Sequence, residues 1–408
     1  MGPTAQIVAA FSILKCLHLM ILFLLPTQFD ILSAVLLETF LFEKSLLCHF
    51  STPYAAFNRL LGAVTRLLLT RVVDNLVVWD AVYFADLFVH DPLYEHQFVF
   101  CPLWWRLVAL IPEYKGAVFY PRLVCATAIA NLSHLAAALM LYRTTLLIFQ
   151  NARVFSPRRM ALCLLVLYVM TPAAAFMTAP YSEPMASILS FMCIYVRQLG
   201  LNASPGVFAA LAYGFRANCL LLGILYLIDV MRIRPFPSFA PLIAGLVLGL
   251  AFFLTQYSSY AAICINPERG EWCNSRLPLL FAYAQAHYWN NGFLNYWTHN
   301  NIPNFLFGAP SIILSLISVR YFCEVYPVDR VLPILAVNTV FICLLITMWH
   351  VQIVTRIHLF LPVNYWLVAG LLTQPNKKHR QWGRLCVGYF VIWGVVQVSL
   401  FGAFLPPA

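Results

Sequence analysis

Acidic residues are scarce in this chain, 15 in 408, and four of them crowd into one polar stretch as Asp80, Asp86, Asp91 and Glu95. A positioned carboxylate can take a proton from a hydroxyl as a bond forms, so the cluster is a candidate for general-base chemistry. Asp80 stands apart, because Trp79 precedes it and Tyr83 and Phe84 follow on the same helical face. Aromatic rings there would stack on a sugar and keep water from the acid. The plainer reading of the cluster is a solvated acidic loop edge. It suits Asp91, which precedes Pro92 in a turn-like context.

A second set is cationic. Arg216 and Asn218 interrupt an apolar run, and His350, Gln352 and Arg356 lie together at the end of another. Cations in or at the end of membrane segments are costly to bury unpaired and mark functional sites by default. The planar fork of an arginine suits a lipid-linked phosphate. The alternative for Arg356 is an anchor at the lipid headgroups. A third set occupies residues 288–297, where Tyr288, Trp289 and Trp297 interleave with amides as in carbohydrate sites. Aromatic girdles at membrane interfaces share that composition, and periodicity does not separate the two.

Other chemistries find little support. No Walker loop, GxGxxG, HExxH, GxSxG or zinc-spaced Cys/His set is present, which removes the main case for nucleotide-driven transport or metalloprotease activity. Twelve cysteines are scattered, mostly inside apolar runs as small buried hydrophobes. Cys264 and Cys273 flank a polar stretch and would form a disulfide if that stretch is lumenal.

The elements that must position these residues lie in a membrane. Hydrophobic residues make up 62% of the chain and charged ones only 10%, with a mean hydropathy of +0.80. A soluble domain carries roughly 25% charged residues. Apolar runs recur from end to end, so one polytopic membrane domain over residues 1–408 is expected. The net charge of +10 is spread along the chain, as expected for cytosolic loops and headgroup contacts with membrane lipids, and nucleic acid is not an expected partner.

Spans of suitable length and composition fall at 7–25, 123–149, 160–179, 185–196, 239–257, 305–319, 331–349, 358–373 and 387–405. The first reads as a retained signal anchor interrupted by Lys15, and neither myristoylation nor a terminal retrieval signal is indicated. Basic connections at Arg153, Arg158 and Arg159, at Arg232 and Arg234, and at Lys377, Lys378, Arg380 and Arg384 should be cytosolic. An even number of crossings must then separate residue 196 from Arg232, yet only 206–228 is available. Two half-length helices meeting near Arg216 and Asn218 satisfy that count, and such a hairpin is tolerated only where it lines a protein cavity. The simpler alternative is a single span with a snorkelling arginine. On this topology the polar segments 26–122 and 258–304 are lumenal loops. The first contains an interfacial helix over 55–73 that carries Arg59 and Arg66 on one face.

Taken in chain order, residues 79–84, then Tyr94-Glu95-His96 leading to Phe100-Cys101-Pro102-Leu103, then 288–297 running into Pro303-Asn304-Phe305-Leu306, then 350–356, resemble the GPI mannosyltransferase II family of PIG-V type. The resemblance extends from near Phe29-Asp30 to Trp366. The chain departs from the pattern at Cys101, where members more often have an aromatic residue, and at Ala217, where Ser is usual. The resemblance implies an all-α integral membrane fold of the GT-C type, with about 9–11 transmembrane helices and a large first lumenal loop bearing a catalytic acid and interfacial helices.

It further implies an α1,6-mannosyltransferase of the endoplasmic reticulum membrane with a lumenal active site. Such an enzyme adds the second mannose of the glycosylphosphatidylinositol anchor from dolichyl phosphate mannose to a mannosyl-glucosaminyl-phosphatidylinositol acceptor. A small accessory membrane subunit is a further candidate partner. Asp80 would be the catalytic base, and Trp79, Glu95, Arg216, Asn218, Tyr288, Trp289, Trp297, His350, Gln352 and Arg356 would bind substrate. No cofactor or metal is expected. A lumenal mannosyltransferase of another glycan pathway would share all of this except the acceptor. A lipid or sugar transporter would account for the hairpin but would not need the acidic cluster.

Overall fold

In hydrocarbon every backbone polar group must find a partner within the protein, so apolar runs of this length can settle only as helices. The computed structural model describes residues 3–25, 31–100, 102–152, 154–201, 204–232, 239–265, 270–326 and 330–405. It is all-α, with no named strand among the described residues. Among the described residues, five helices are long and apolar enough to cross a membrane: Gln6–Leu24, Phe119–Ile148, Ala240–Ile263, His299–Glu324 and Lys377–Gly402. Shorter apolar helices fill the bundle between them, including Leu332–Met348 and Val363–Thr373. The chain is a multi-pass membrane protein.

The broken hairpin is present. Ser204–Phe215 runs up to Arg216, whose backbone is extended, and the chain turns through a 3₁₀ segment, Ala217–Leu222, into Gly223–Met231. Both feet stand at the same end of Ala240–Ile263, since Pro205, Tyr226 and Asp229 line one small cavity with Ala240 and Ala244. The first foot approaches so closely that a Cβ on Gly206 would lie 2.5 Å from the Ala244 backbone. Arg197 grips Asp229 with two hydrogen bonds, one of 2.7 Å from Nε, and pins the second foot. Arg216 and Asn218 therefore sit at a tip.

The expected span over 160–179 is corrected. The helix there is only Pro157–Val169, and it gives way to an irregular stretch over 170–182 that is buried throughout from Thr171 on. Side chains from other segments satisfy its backbone. Lys15 Nζ donates to the Met177 carbonyl at 2.6 Å, Asn131 Nδ2 to Thr178 O at 2.8 Å, and Trp104 Nε1 to Pro180 O at 3.0 Å. The Gln397 side chain accepts from the Ala175 amide at 2.7 Å. The lysine that breaks the first apolar run thus has a structural task in holding irregular backbone at membrane depth.

Residues 31–122 form a cap of shorter helices. Among them is Ala55–Leu68, amphipathic as expected, with Phe57, Leu60 and Val64 exposed beside Arg59 and Arg66. Its extension, Leu69–Val73, is a π turn. Glu43 reaches across to accept the Val118, Phe119 and Tyr120 amides at 2.9–3.2 Å, which caps the free N–H groups of Phe119–Ile148 with an anion. Arg330 Nη1 donates to Leu147 O at 3.1 Å and Gln198 donates to Arg330 O at 3.1 Å, so these connections share the end of the bundle opposite the hairpin tip. Cys101, Arg153 and Arg234 lie outside the described residues.

Candidate active site

Four separate segments deliver the charged centre. Asp80 opens the short helix Asp80–Leu87, where the unsatisfied N–H groups of a helix start favour a carboxylate. It is placed there by Trp79, whose φ of 55° is left-handed and unusual for a non-glycine residue. Tyr181, from the irregular stretch, holds this turn from both sides. Its hydroxyl donates to Val78 O at 2.7 Å and accepts the Ala81 amide at 3.3 Å.

Arg356 lies in the one-turn helix Val354–Ile357 and donates to Asp80 Oδ2 through Nη2 and to Glu183 Oε1 through Nε. Its guanidinium also stacks at 4.9 Å on both Phe176 and Tyr181. Arg216 completes the set at 3.4 Å from Glu183 and 3.9 Å from Asp80. Burial alone would raise the Asp80 carboxyl, but the guanidiniums of Arg356 and Arg216 outweigh it and hold it below its ordinary range. Asp80 is therefore ionised at neutral pH.

These residues border a cavity of about 400 Å³ with a mixed lining. Leu220, Leu221, Leu344, Ile353 and Ile357 are apolar, whereas Asn218, Gln285, Trp289, Asn291 and His350 join Asp80, Arg216 and Arg356 in supplying polar groups. Asn218 Nδ2 donates to Ile357 O at 2.8 Å and so ties the hairpin tip to the arginine segment. His350 Nε2 lies 2.7 Å from Trp289 O. A carbonyl only accepts, so that nitrogen carries the proton and Nδ1 is the acceptor. Burial lowers the His350 pKa more than this bond raises it, and a neutral imidazole at pH 7 follows. His350 can orient a hydroxyl but does not add charge against a phosphate.

The remaining expected residues stand outside the cavity lining. Trp79 stacks on Phe404 at 5.0 Å. Glu95 braces two loops, accepting from Trp272 Nε1 at 2.9 Å and from the Tyr288 hydroxyl at 3.0 Å. Trp272 lies beside the Cys264–Cys273 disulfide, which is formed. Gln352 accepts from the Tyr296 hydroxyl. Trp297 Nε1, the Leu294 amide and the Gly292 amide donate to the carbonyls of Ile346, Thr347 and Met348 at 2.8, 2.6 and 3.1 Å. Much of the 288–297 block is thus a C-terminal cap for Leu332–Met348. Asp86 is held by His90 at 2.9 Å and by Gln97 at 3.0 Å.

Sequence reasoning missed Glu183. It sits in Pro180-Tyr181-Ser182-Glu183-Pro184, between two apolar runs, and a lone acid in such a place is the signal that could have revealed it. Among the described residues, no group of three or more His, Cys, Asp or Glu side chains could hold a metal ion.

The family model described as Mannosyltransferase (PIG-V) matches residues 11–332 and 326–408. The chain is 32% identical over 426 residues to GPI mannosyltransferase 2 of Candida albicans, covering 99% of each chain. It is 38% identical over 342 residues to the Yarrowia lipolytica protein of that name, covering 83% of this chain and 89% of the relative. To the Saccharomyces cerevisiae protein it is 30% identical over 444 residues, covering 98% of each. No solved structure matches the chain. With this agreement along its whole length, and with a carboxylate and two arginines at the wall of one cavity, the chain belongs to the PIG-V mannosyltransferase family and is a glycosyltransferase of GPI-anchor assembly.

Proposed function

We propose that this enzyme transfers the second mannose of the anchor, in α1,6 linkage, from dolichyl phosphate mannose to a mannosyl-glucosaminyl-phosphatidylinositol on the lumenal side of the endoplasmic reticulum membrane. The observation that carries the reading is the cavity whose lining combines apolar, cationic and amide groups. Its leucines and isoleucines suit a prenyl chain, its guanidiniums a phosphate, and its amides and Trp289 a sugar.

In the reaction the acceptor hydroxyl attacks the anomeric carbon of the donor mannose. Its proton passes to Asp80 as the new C–O bond forms, and the bond from that carbon to the phosphate oxygen breaks with inversion. Dolichyl phosphate leaves with the electron pair, and Arg356 and Arg216 stabilise the charge it gains. The leaving phosphate needs no proton. Side assignment rests on the basic connections gathering at the end of the bundle opposite the cavity.

The test is transfer by purified enzyme from dolichyl phosphate mannose to defined acceptors carrying one mannose, with linkage analysis of the product. A dimannosyl product in α1,6 linkage is expected. Absence of transfer to this acceptor, with transfer to another lipid-linked glycan, would move the enzyme to a different pathway.

A further inference from the structure

The charged centre holds more than the reaction as drawn requires. Arg356 is shared by two carboxylates, and only one of them, Asp80, has been given chemistry. The two differ in access: the Glu183 side chain is 3% exposed and that of Asp80 29%. Glu183 Oε2 has no hydrogen-bond partner among the described residues, so this acid contributes through its charge and through Oε1 alone. Two carboxylates against two guanidiniums make the cluster formally neutral. Asp80, the accessible member, forms the cavity wall with Arg356 and Arg216, whereas Glu183 is not among the lining residues.

We propose that Glu183 is the permanent counter-ion and positioning residue of Arg356, and that Asp80 is its exchangeable partner. A phosphodiester entering the cavity then takes the guanidinium from Asp80 and frees that carboxylate to accept a proton. This inference rests on the donor assigned above.

The electrostatics follow from the same four groups. A base clamped by two arginines has a poor appetite for a proton, which suits the empty enzyme but not the chemical step. Adding the donor's single negative charge makes the cluster net negative, and competition for Arg356 loosens its bond to Asp80. Both changes raise the proton affinity of Asp80 only once donor is bound. Glu183 is needed twice over. It keeps Arg356 in place while the partner changes, and it supplies the charge that makes the loaded cluster negative. The titratable groups facing Asp80 are Arg216 from the hairpin tip, Arg356, and Glu183 and Tyr181 from the irregular segment and its following helix. His350 lines the same cavity as a neutral ring.

The experiment uses purified full-length enzyme in lipid discs and dolichyl phosphate mannose without acceptor, so that nothing turns over. The donor is a phosphodiester and does not titrate near pH 5, in the ordinary carboxylate range. Calorimetry in buffers of different ionisation enthalpy reads proton uptake on binding. Wild type is expected to take up a fraction of a proton, Asp80→Asn none, and Glu183→Gln less than wild type.

With acceptor present, the acid limb of kcat, which reports loaded enzyme, should lie at higher pH than that of kcat/KM for donor, which reports free enzyme. Glu183→Gln should lower kcat roughly tenfold and draw the two limbs together, because an Arg356 without its fixed carboxylate no longer changes partner cleanly when donor binds. Glu183→Asp, which keeps the charge, should restore their separation. Buffer-independent heats in wild type, or uptake that survives Asp80→Asn, would overturn the exchange. A Glu183→Gln or Glu183→Asp enzyme that loses activity with wild-type limb separation would make Glu183 merely structural. If the wild type binds no donor at all, the donor assignment itself falls.

Discussion

Two carboxylates of the first polar segment, Asp80 and Glu95, have similar sequence credentials and opposite surroundings. Each has aromatic neighbours and each lies in a stretch that carries the sequence resemblance to the family. Asp80 meets two guanidiniums at the wall of a 400 Å³ cavity. Glu95 meets an indole N–H and a phenol O–H in a contact that fastens the disulfide loop and Tyr288 to the cap. It leaves so little room that a Cβ on Gly270 would fall 2.0 Å from its Oε1. Partners decide the role. Mobile or exchangeable charged partners beside open space make a reactive acid, and neutral donors without space make a brace.

The comparison breaks most sharply on substitution of the two acids. Asp80→Asn preserves size and removes the charge, so membrane insertion should survive while transfer falls by about 10²–10⁴-fold, the usual contribution of a positioned base. Glu95→Gln keeps one acceptor oxygen for Trp272 or Tyr288 and should retain transfer within about tenfold, because its effect reaches the cavity only through the brace. Near-normal transfer in Asp80→Asn together with loss in Glu95→Gln would reverse the two roles.

Arg356→Lys is the next largest effect. A lysine offers a point charge where the arginine bridges Asp80 and Glu183 and stacks on Phe176 and Tyr181. Transfer should fall by roughly 10²-fold, in line with loss of one charged donor at a developing anion, with donor binding weakened in parallel. A lysine enzyme with wild-type transfer and donor affinity would return Arg356 to the part of a headgroup anchor.

Much of this arrangement is legible in the sequence, for physical reasons that also mark where legibility ends. Burying a cation in a membrane is costly, so Arg216 and Arg356 announce themselves wherever they fall. Parity of the basic loops forces the hairpin, because charge placement is a global constraint that one sequence satisfies in few ways. The stretch over 170–182 fails the same logic. Its composition is that of a span, and beside its own turn hydrogen bonds it leans on Lys15, Asn131, Trp104 and Gln397, all distant in sequence, to hold irregular backbone there. Glu183 falls in the short connection after that stretch, where an acid between two apolar runs reads as a loop residue. The 288–297 block misleads in another way, because indoles and amides serve equally well to cap a helix or to hold a sugar. Only position separates Trp289, in the cavity, from Trp297 on the Ile346 carbonyl.

The smallest expected effect concerns the brace itself. Trp272→Phe keeps the ring among Tyr260 and its neighbours but removes the N–H that Glu95 accepts. A hydrogen bond to a charged acceptor is worth about 1.5–3 kcal/mol when buried, and Glu95 is only half-buried, so a loss of about 1 kcal/mol is expected. It should appear as a small drop in thermal stability with transfer within about twofold. Adding Glu95→Gln to Trp272→Phe should cost less than the sum of the two single changes, since the two side chains share one contact. Full additivity would mean that Glu95 works elsewhere. A large fall in transfer with donor affinity unchanged would place it at the acceptor, on the reactive side of the comparison with Asp80.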